Sequence, residues 1–195
     1  MQPDLTQHPD RLKWNEKHRQ AAEKITLPPA PLLGLLQGLP LPPGPVLELA
    51  CGISGSTLAL AKQGRDVVAI DISDTALAAL RQEAADRKLD DRISLIQADL
   101  SSWTPGSTRF ALVFCFRYWD KSVFQRACEA VMSGGLLLWG TFTSDHLRDH
   151  PSFRSEWCLQ PGEPENLLPG DFTFLQNQDR KNDRTATRLL IARRQ

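Results

Sequence analysis

Apolar and polar positions along this chain switch between a helical period and the short runs of strands, and the switches mark out its elements. From Asp10 the pattern is helical, with Trp14, His18, Ala21 and Ile25 at i, i+4, i+7 and i+11 on one face. Pro28-Pro29-Ala30-Pro31 ends that helix, because each proline removes a donor and disfavours helix before it. Leu32–Leu39 makes a short apolar helix, and Pro40 with Pro42-Pro43-Gly44-Pro45 forms a stiff approach to an apolar strand that opens at Val46. The strand runs straight into a glycine-containing turn, and a helical pattern follows over Thr57–Gln63, with Gly64 at its end.

A second strand, Asp66–Ile70, ends in Asp71. Ser73 is a good N-cap for the next helix, which buries Leu77, Leu80 and Ala84. Arg92–Gln97 alternates enough for a third strand and leads to Ala98-Asp99-Leu100. Phe110–Phe116 is a nearly continuous apolar run, the mark of a strand buried on both faces. A helix over Lys121–Met132 buries Val123, Phe124, Ala127 and Val131; Ser133-Gly134-Gly135 then turns the chain into the strand Leu136–Phe142. Regularity lapses over Thr143–Asp171, with at most a short helix near Glu165, and a stretch so long is more often functional than idle. Phe172–Gln176 and Thr187–Ala192 read as a closing pair of strands around the charged turn Asp179–Arg184.

Composition narrows the classes without naming one. At 195 residues a single domain is expected over 1–195, with an N-terminal helical extension over 1–45 and an α/β core over 46–195. Lys+Arg 23 against Asp+Glu 23 leaves no net charge, which argues against a generic nucleic-acid partner. Cys51, Cys115, Cys128 and Cys158 are dispersed without metal-ligand spacing, so free thiols, no metal and a cytoplasmic location are expected. No apolar run approaches a membrane span.

The candidate chemistry gathers at strand ends. The turn after Val46-Leu47-Glu48-Leu49 carries Ala50, Cys51 and Gly52, and Gly52 lets the chain approach a ligand closely. Asp71 stands roughly 20 residues beyond it, where a carboxylate can accept both hydroxyls of a ribose. The turn lacks the G-x-G-x-x-G triplet, with Ala50 and Ser54 where glycines are expected, and no Lys-Ser/Thr follows, which excludes a P-loop. Glu48 would repel a pyrophosphate and attract a cation. S-adenosylmethionine, with a sulfonium and an ammonium and no phosphate, suits these residues.

With these pieces the chain resembles the class I S-adenosylmethionine-dependent methyltransferases. The matching segments are Leu-Glu-Leu-Ala-Cys-Gly at 47–52, Val-Ala-Ile-Asp-Ile-Ser at 68–73, Gln-Ala-Asp-Leu at 97–100, Phe-Ala-Leu-Val-Phe-Cys-Phe at 110–116 and Ser-Gly-Gly-Leu-Leu-Leu at 133–138. The opening Trp14-Asn15-Glu16-Lys17 resembles small bacterial enzymes related to the tellurite-resistance and thiopurine methyltransferases. The resemblance implies a Rossmann-like, doubly wound α/β sheet of about seven strands, mostly parallel with an antiparallel last strand and helices on both faces. It implies that Glu48 faces the methionine ammonium, that Asp71 takes the ribose hydroxyls and Asp99 the adenine amino group, and that Ile72 and Leu100 sandwich the adenine. Ala50, Cys51 and Gly52, with Cys115 and Trp14, complete the implied cofactor set, and S-adenosylhomocysteine is the implied product. Each acid alone also reads as a helix cap or a surface carboxylate.

Cys115-Phe116-Arg117-Tyr118-Trp119-Asp120 closes the fourth strand, where this fold presents groups to the transferring methyl. Phe116, Arg117 and Trp119 are the acceptor-pocket candidates; the alternative is that Phe116 and Trp119 pack under the next helix, which Asp120 caps. His146 and His150 are loop histidines, and neither is assigned as a base. The expected function is methyl transfer to a small-molecule acceptor by in-line displacement, in a monomer or weak homodimer. An RNA or protein methyltransferase and a non-catalytic cofactor binder are the rivals. The N-terminal helix and 143–170 read as a cover over the acceptor.

Overall fold

The computed structural model describes residues 4–22, 31–182 and 184–195. Ile25 of the expected helical stripe, the side chain of Ala21, and Pro28-Pro29-Ala30 lie outside the described residues. The chain divides into two compact units, Met1–Pro40 with Gly44–Trp103, and Leu41–Pro43 with Thr104–Gln195. The sheet holds seven strands in the order β3-β2-β1-β4-β5-β7-β6, as expected of a mostly parallel sheet with an antiparallel last strand.

The first unit opens with α1 (Pro9–Ala22), which starts on a proline at the position where a missing N–H costs nothing. Trp14 and His18 lie half-buried on it, as the periodicity implied, but the residue it buries most fully is Asn15. Helix α2 (Pro31–Leu35) is shorter than the apolar run over 32–39 suggested, because Gly38 turns the chain at a left-handed φ of 76°. Strands β1 (Val46–Leu49), β2 (Val67–Asp71) and β3 (Ile93–Gln97) pair in parallel, with Leu49 opposite Ile70 and Asp71 opposite Gln97. All four residues of β1 are buried, which accounts for a run without alternation. Helices α3 (Gly55–Lys62) and α4 (Asp74–Asp86) follow β1 and β2. Leu58 of α3 and Leu77, Leu80 and Ala84 of α4 share one cluster with Ala69 and Cys51, flanked by Leu89, Ile93 and Leu95.

In the second unit, β4 (Phe110–Phe116) pairs in parallel with β5 (Val131–Phe142). Helix α5 (Lys121–Ala130) runs between them, and Trp119, Phe124 and Trp139 meet ring to ring at 5.3–6.2 Å. The strand begins five residues earlier than the apolar run at 136 suggested. Val131 already pairs with Phe110, and Ser133-Gly134-Gly135 forms an irregularity within the strand rather than a turn before it. Gly134 takes φ 75°, and a Cβ on Gly135 would lie 2.9 Å from the Met132 carbonyl oxygen.

The closing strands β6 (Phe172–Lys181) and β7 (Ala186–Arg194) are also longer than the apolar runs, because polar cross-strand pairs extend them. Arg188 Nε donates to Asp179 Oδ1 at 2.6 Å from the position directly opposite in register. Between β5 and β6 the chain is mostly irregular, as expected, but it forms α6 (His146–Asp149) as well as a single helical turn at 165–167. That α6 is missing from the pattern follows from its length, one turn held by ring stacking of His146 on Phe142 at 4.4 Å. Among the described residues no helix is long and apolar enough to cross a membrane.

Candidate functional site

The loop between β1 and α3 departs twice into left-handed backbone, at Ala50 with φ 52° and at Gly52 with φ 53°. For a residue with a Cβ that conformation costs about 1–2 kcal/mol, and strain of this kind collects at functional sites. The loop is held from two sides. Ser54 caps α3, its Oγ accepting from the amides of Ser56 and Thr57 at 3.1 Å each, and the same hydroxyl donates to Glu48 Oε1 at 2.8 Å. Thr57 Oγ1 donates to Glu48 Oε2. Glu48 is 5% exposed, so burial pushes its carboxyl up to about 7 while the Thr57 and Ser54 hydroxyls pull it down.

From the other side, Asp71 at the end of β2 accepts from the Gly52 amide at 2.7 Å through Oδ2 and from the Ser73 amide at 2.8 Å through Oδ1. Burial raises its pKa against those two amides and the charge of His18. An ionised carboxylate has about four lone-pair sites, so these backbone bonds leave acceptor capacity for a further donor. Ile72 beside it is half-buried, and its carbonyl accepts from Gln97 Nε2 at 3.1 Å.

Past β3, Asp99 is half-buried and accepts from the Ser101 amide at 2.9 Å, with His8 Nε2 3.7 Å from its carboxylate; Leu100 is buried. Helix α1 adds His18, whose Cε1 would lie 3.2 Å from a Cβ on Gly52. Burial lowers the pKa of His18, with Asp71 opposing. Trp14 lies one turn before it, its ring under the Lys17 ammonium at 4.6 Å. Glu48, Ala50, Cys51, Gly52, Asp71, Ile72, Asp99, Leu100 and Trp14 are therefore all residues of the first unit.

Sequence reasoning missed Asn15, Ser54, Thr57 and His8. Ser54 carries a usable signal, a cap residue directly before a helical run. Asn15 belongs to the Trp14-Asn15-Glu16-Lys17 segment, but nothing local announces its partners, which are 58–60 residues away.

In the second unit, Cys115 is fully buried. Phe116 is half-buried beside Gly140, where a Cβ would come within 2.7 Å of its ring. Arg117 is exposed at a left-handed φ of 61°, its amide donating to the Gly140 carbonyl at 2.7 Å. Trp119 is 4% exposed and packs against Phe124 and Trp139, the arrangement of the packing alternative. Asp120 caps α5 through the Val123 amide at 2.9 Å. His146 is buried on Phe142 and beside His150, and its pKa is lowered by burial and then by the His150 charge. His150 Nε2 is 2.8 Å from the Arg184 carbonyl oxygen.

Residues 46–135 match the methyltransferase domain family. Comparison with curated protein sequences gives no match. Among solved structures, TehB from Haemophilus influenzae superposes with a TM-score of 0.71 at 17% identity, over 88% of this chain and 64% of that one. The chain thus spans less than two thirds of TehB. A glycopeptide N-methyltransferase, MtfA, in complex with S-adenosyl-L-methionine gives 0.62 at 19% identity, over 85% and 93% of the two chains. Magnesium protoporphyrin IX methyltransferase (ChlM) from Synechocystis PCC 6803, with bound SAH, gives 0.68 at 14%, over 94% and 86%. At such identities the likeness is one of fold, and it is the Rossmann-like methyltransferase fold that the five segments implied.

Proposed function

We propose that this chain, whose residues 46–135 match the methyltransferase domain family, is a class I S-adenosylmethionine-dependent enzyme that methylates a small-molecule acceptor by in-line displacement. The observation that carries the reading is Asp71. Its carboxylate is set at a strand end by the Gly52 and Ser73 amides, with acceptor capacity left over for a ribose diol. The loop beside it suits the methionine end of the cofactor. Gly52 leaves open a space that a Cβ would fill against His18, and no lysine stands ready to grip a phosphate.

S-adenosylmethionine brings a methyl group on an already activated sulfonium, so the protein has chiefly to bind and orient. Holding the acceptor in line supplies about 7–11 kcal/mol of such a barrier. In this reading Asp71 holds the ribose, Asp99 the adenine amino group, and Ile72 and Leu100 the adenine faces. Ala50, Cys51 and Gly52 line the methionine portion, with Trp14 over it. Glu48 faces the ammonium, with the Ser54 and Thr57 hydroxyls each on one of its oxygens holding the carboxyl in place. Helix α1 of the N-terminal extension covers the cofactor.

Phe116 and Arg117 are assigned to the acceptor. Arg117 is an exposed guanidinium on strained backbone at the end of β4, suited to an anionic group. Calorimetry with S-adenosylhomocysteine and with NAD tests the cofactor, and transfer of a labelled methyl group to panels of small molecules, RNA and protein tests the acceptor. Binding of NAD in place of S-adenosylhomocysteine, or label passing to RNA or protein alone, overturns the reading.

A further inference from the structure

Helix α1 is attached by polar groups. Among its described side chains Leu12 is 48% exposed and Trp14 is half-buried. Asn15, at 6% exposure, is the most buried of them, and both ends of its amide are used. Oδ1 accepts from Ser73 Oγ at 2.7 Å and from the Thr75 amide at 3.3 Å, while Nδ2 donates to Asp74 Oδ1 at 2.8 Å. One turn earlier, Arg11 grips the same Asp74 carboxylate through Nε at 2.7 Å and Nη2 at 3.0 Å.

The residue Asn15 holds is not an arbitrary one. Ser73 caps α4, its Oγ accepting from the Ala76 amide at 3.1 Å, and its own amide donates to Asp71 Oδ1. Asp71 in turn holds the Gly52 amide. The bonds therefore run without a break from Asn15 through Ser73 and Asp71 to the loop after β1. Three residues past Asn15, His18 lies over Gly52 and closes the circuit from the other side. A buried network in which every member is satisfied fixes one arrangement, and loss of one member leaves its partners unpaired.

We propose that Asn15 is a positioning residue for cofactor binding, setting the Asp71 carboxylate through Ser73 and seating His18 over Gly52. The inference rests on the proposed cofactor site. Its chemistry is specific, because the relay needs an acceptor facing Ser73 and a donor facing Asp74 from one side chain.

The test exploits that polarity. Asn15→Asp is isosteric but sets a carboxylate against Asp74; adding Asp74→Asn returns a donor to the pair from the opposite side. Calorimetry with S-adenosylhomocysteine should show Kd at least tenfold higher in Asn15→Asp and a smaller rise in the double variant, where the pair with position 15 is regained but Arg11 Nε loses the oxygen it shared with Asn15. Leu12→Ala, on the same helix and facing solvent, should leave Kd unchanged. Arg11→Ala, at the exposed end of the clasp, remains informative if Asn15→Asp does not fold, and should raise Kd threefold or more. If folded Asn15→Asp binds like the parent, if the double variant restores nothing, or if Arg11→Ala has no effect, Asn15 merely docks a helix and the proposal is wrong. If the parent protein itself fails to bind S-adenosylhomocysteine, it is the cofactor assignment that falls.

Discussion

Asp71 Oδ2 accepts the Gly52 amide proton at 2.7 Å, so the acid that ends β2 also shapes the loop that follows β1. The two residues are 19 positions apart, and one carboxylate orders both halves of the candidate cofactor site. Asp71→Asn removes the charge and turns an NH2 donor toward one of the two backbone amides that the carboxylate accepts. Loss of charge-assisted bonds to a ribose diol should weaken S-adenosylhomocysteine binding by roughly 1.5–3 kcal/mol, about 10- to 150-fold, measured by calorimetry. Undiminished affinity would show that the ribose is held elsewhere.

Glu48 makes stability depend on pH in a defined window. Burial raises its carboxyl from the ordinary 4.5 to about 7 in the folded protein. Between those values the unfolded chain releases the proton and the folded chain keeps it. The contribution of this group is therefore full below 4.5, declines as pH rises, and is gone above about 7. Its size is on the order of 3 kcal/mol. Glu48→Gln cannot titrate, so the stability of the parent minus that of the variant, from urea unfolding at a series of pH values, should fall across the window and then level. A difference that is flat with pH would mean that the carboxyl titrates normally.

Ala50 holds a left-handed φ of 52° that glycine adopts without penalty. Ala50→Gly should stabilise the protein by about 0.5–1 kcal/mol, a rise in Tm of about 1–4 °C for a chain of this size. Gly52→Ala, at φ 53° and with His18 Cε1 3.2 Å from the new Cβ, should move both Tm and cofactor affinity downward. Thermal melts with and without S-adenosylhomocysteine separate the two effects. An Ala50→Gly protein that melts lower than the parent would contradict the strain argument.

All four cysteines are buried and outside any disulfide, and burial pushes the Cys128 thiol up to about 12. Native protein at pH 8 should therefore react slowly with alkylating reagents, while unreduced protein in denaturant should take up four labels by mass spectrometry. Fewer than four labels would reveal a disulfide or a blocked thiol.

Much of the architecture is written in local pattern. The strand Phe110–Phe116 matches its apolar run residue for residue, because a strand buried on both faces has no polar position to blur its ends. Ser73 and Asp120 announce the helices they cap through chemistry confined to three residues. The acids Glu48, Asp71 and Asp99 could be placed at strand ends for the same reason, since their spacing from apolar runs is a one-dimensional fact.

Other features depend on partners distant in the chain, and these the pattern did not carry. Strand β5 starts at Val131 because Phe110 pairs with it across the sheet, and β6 and β7 extend to Lys181 and Arg194 because Asp179 meets Arg188 in register. The contact of Trp119 with Phe124 and Trp139 was likewise invisible in the pattern. The position of Glu48 on β1 announced a charge near a ligand, and only folding brought the Ser54 and Thr57 hydroxyls onto its two carboxylate oxygens. What this sequence determined by itself was each element whose residues bond or bury within a few positions of one another. What the tertiary structure decided was which polar atoms meet across tens of residues, as Asn15 meets Ser73, because such pairing depends on the packed geometry of the sheet and its helices and leaves no period in the chain.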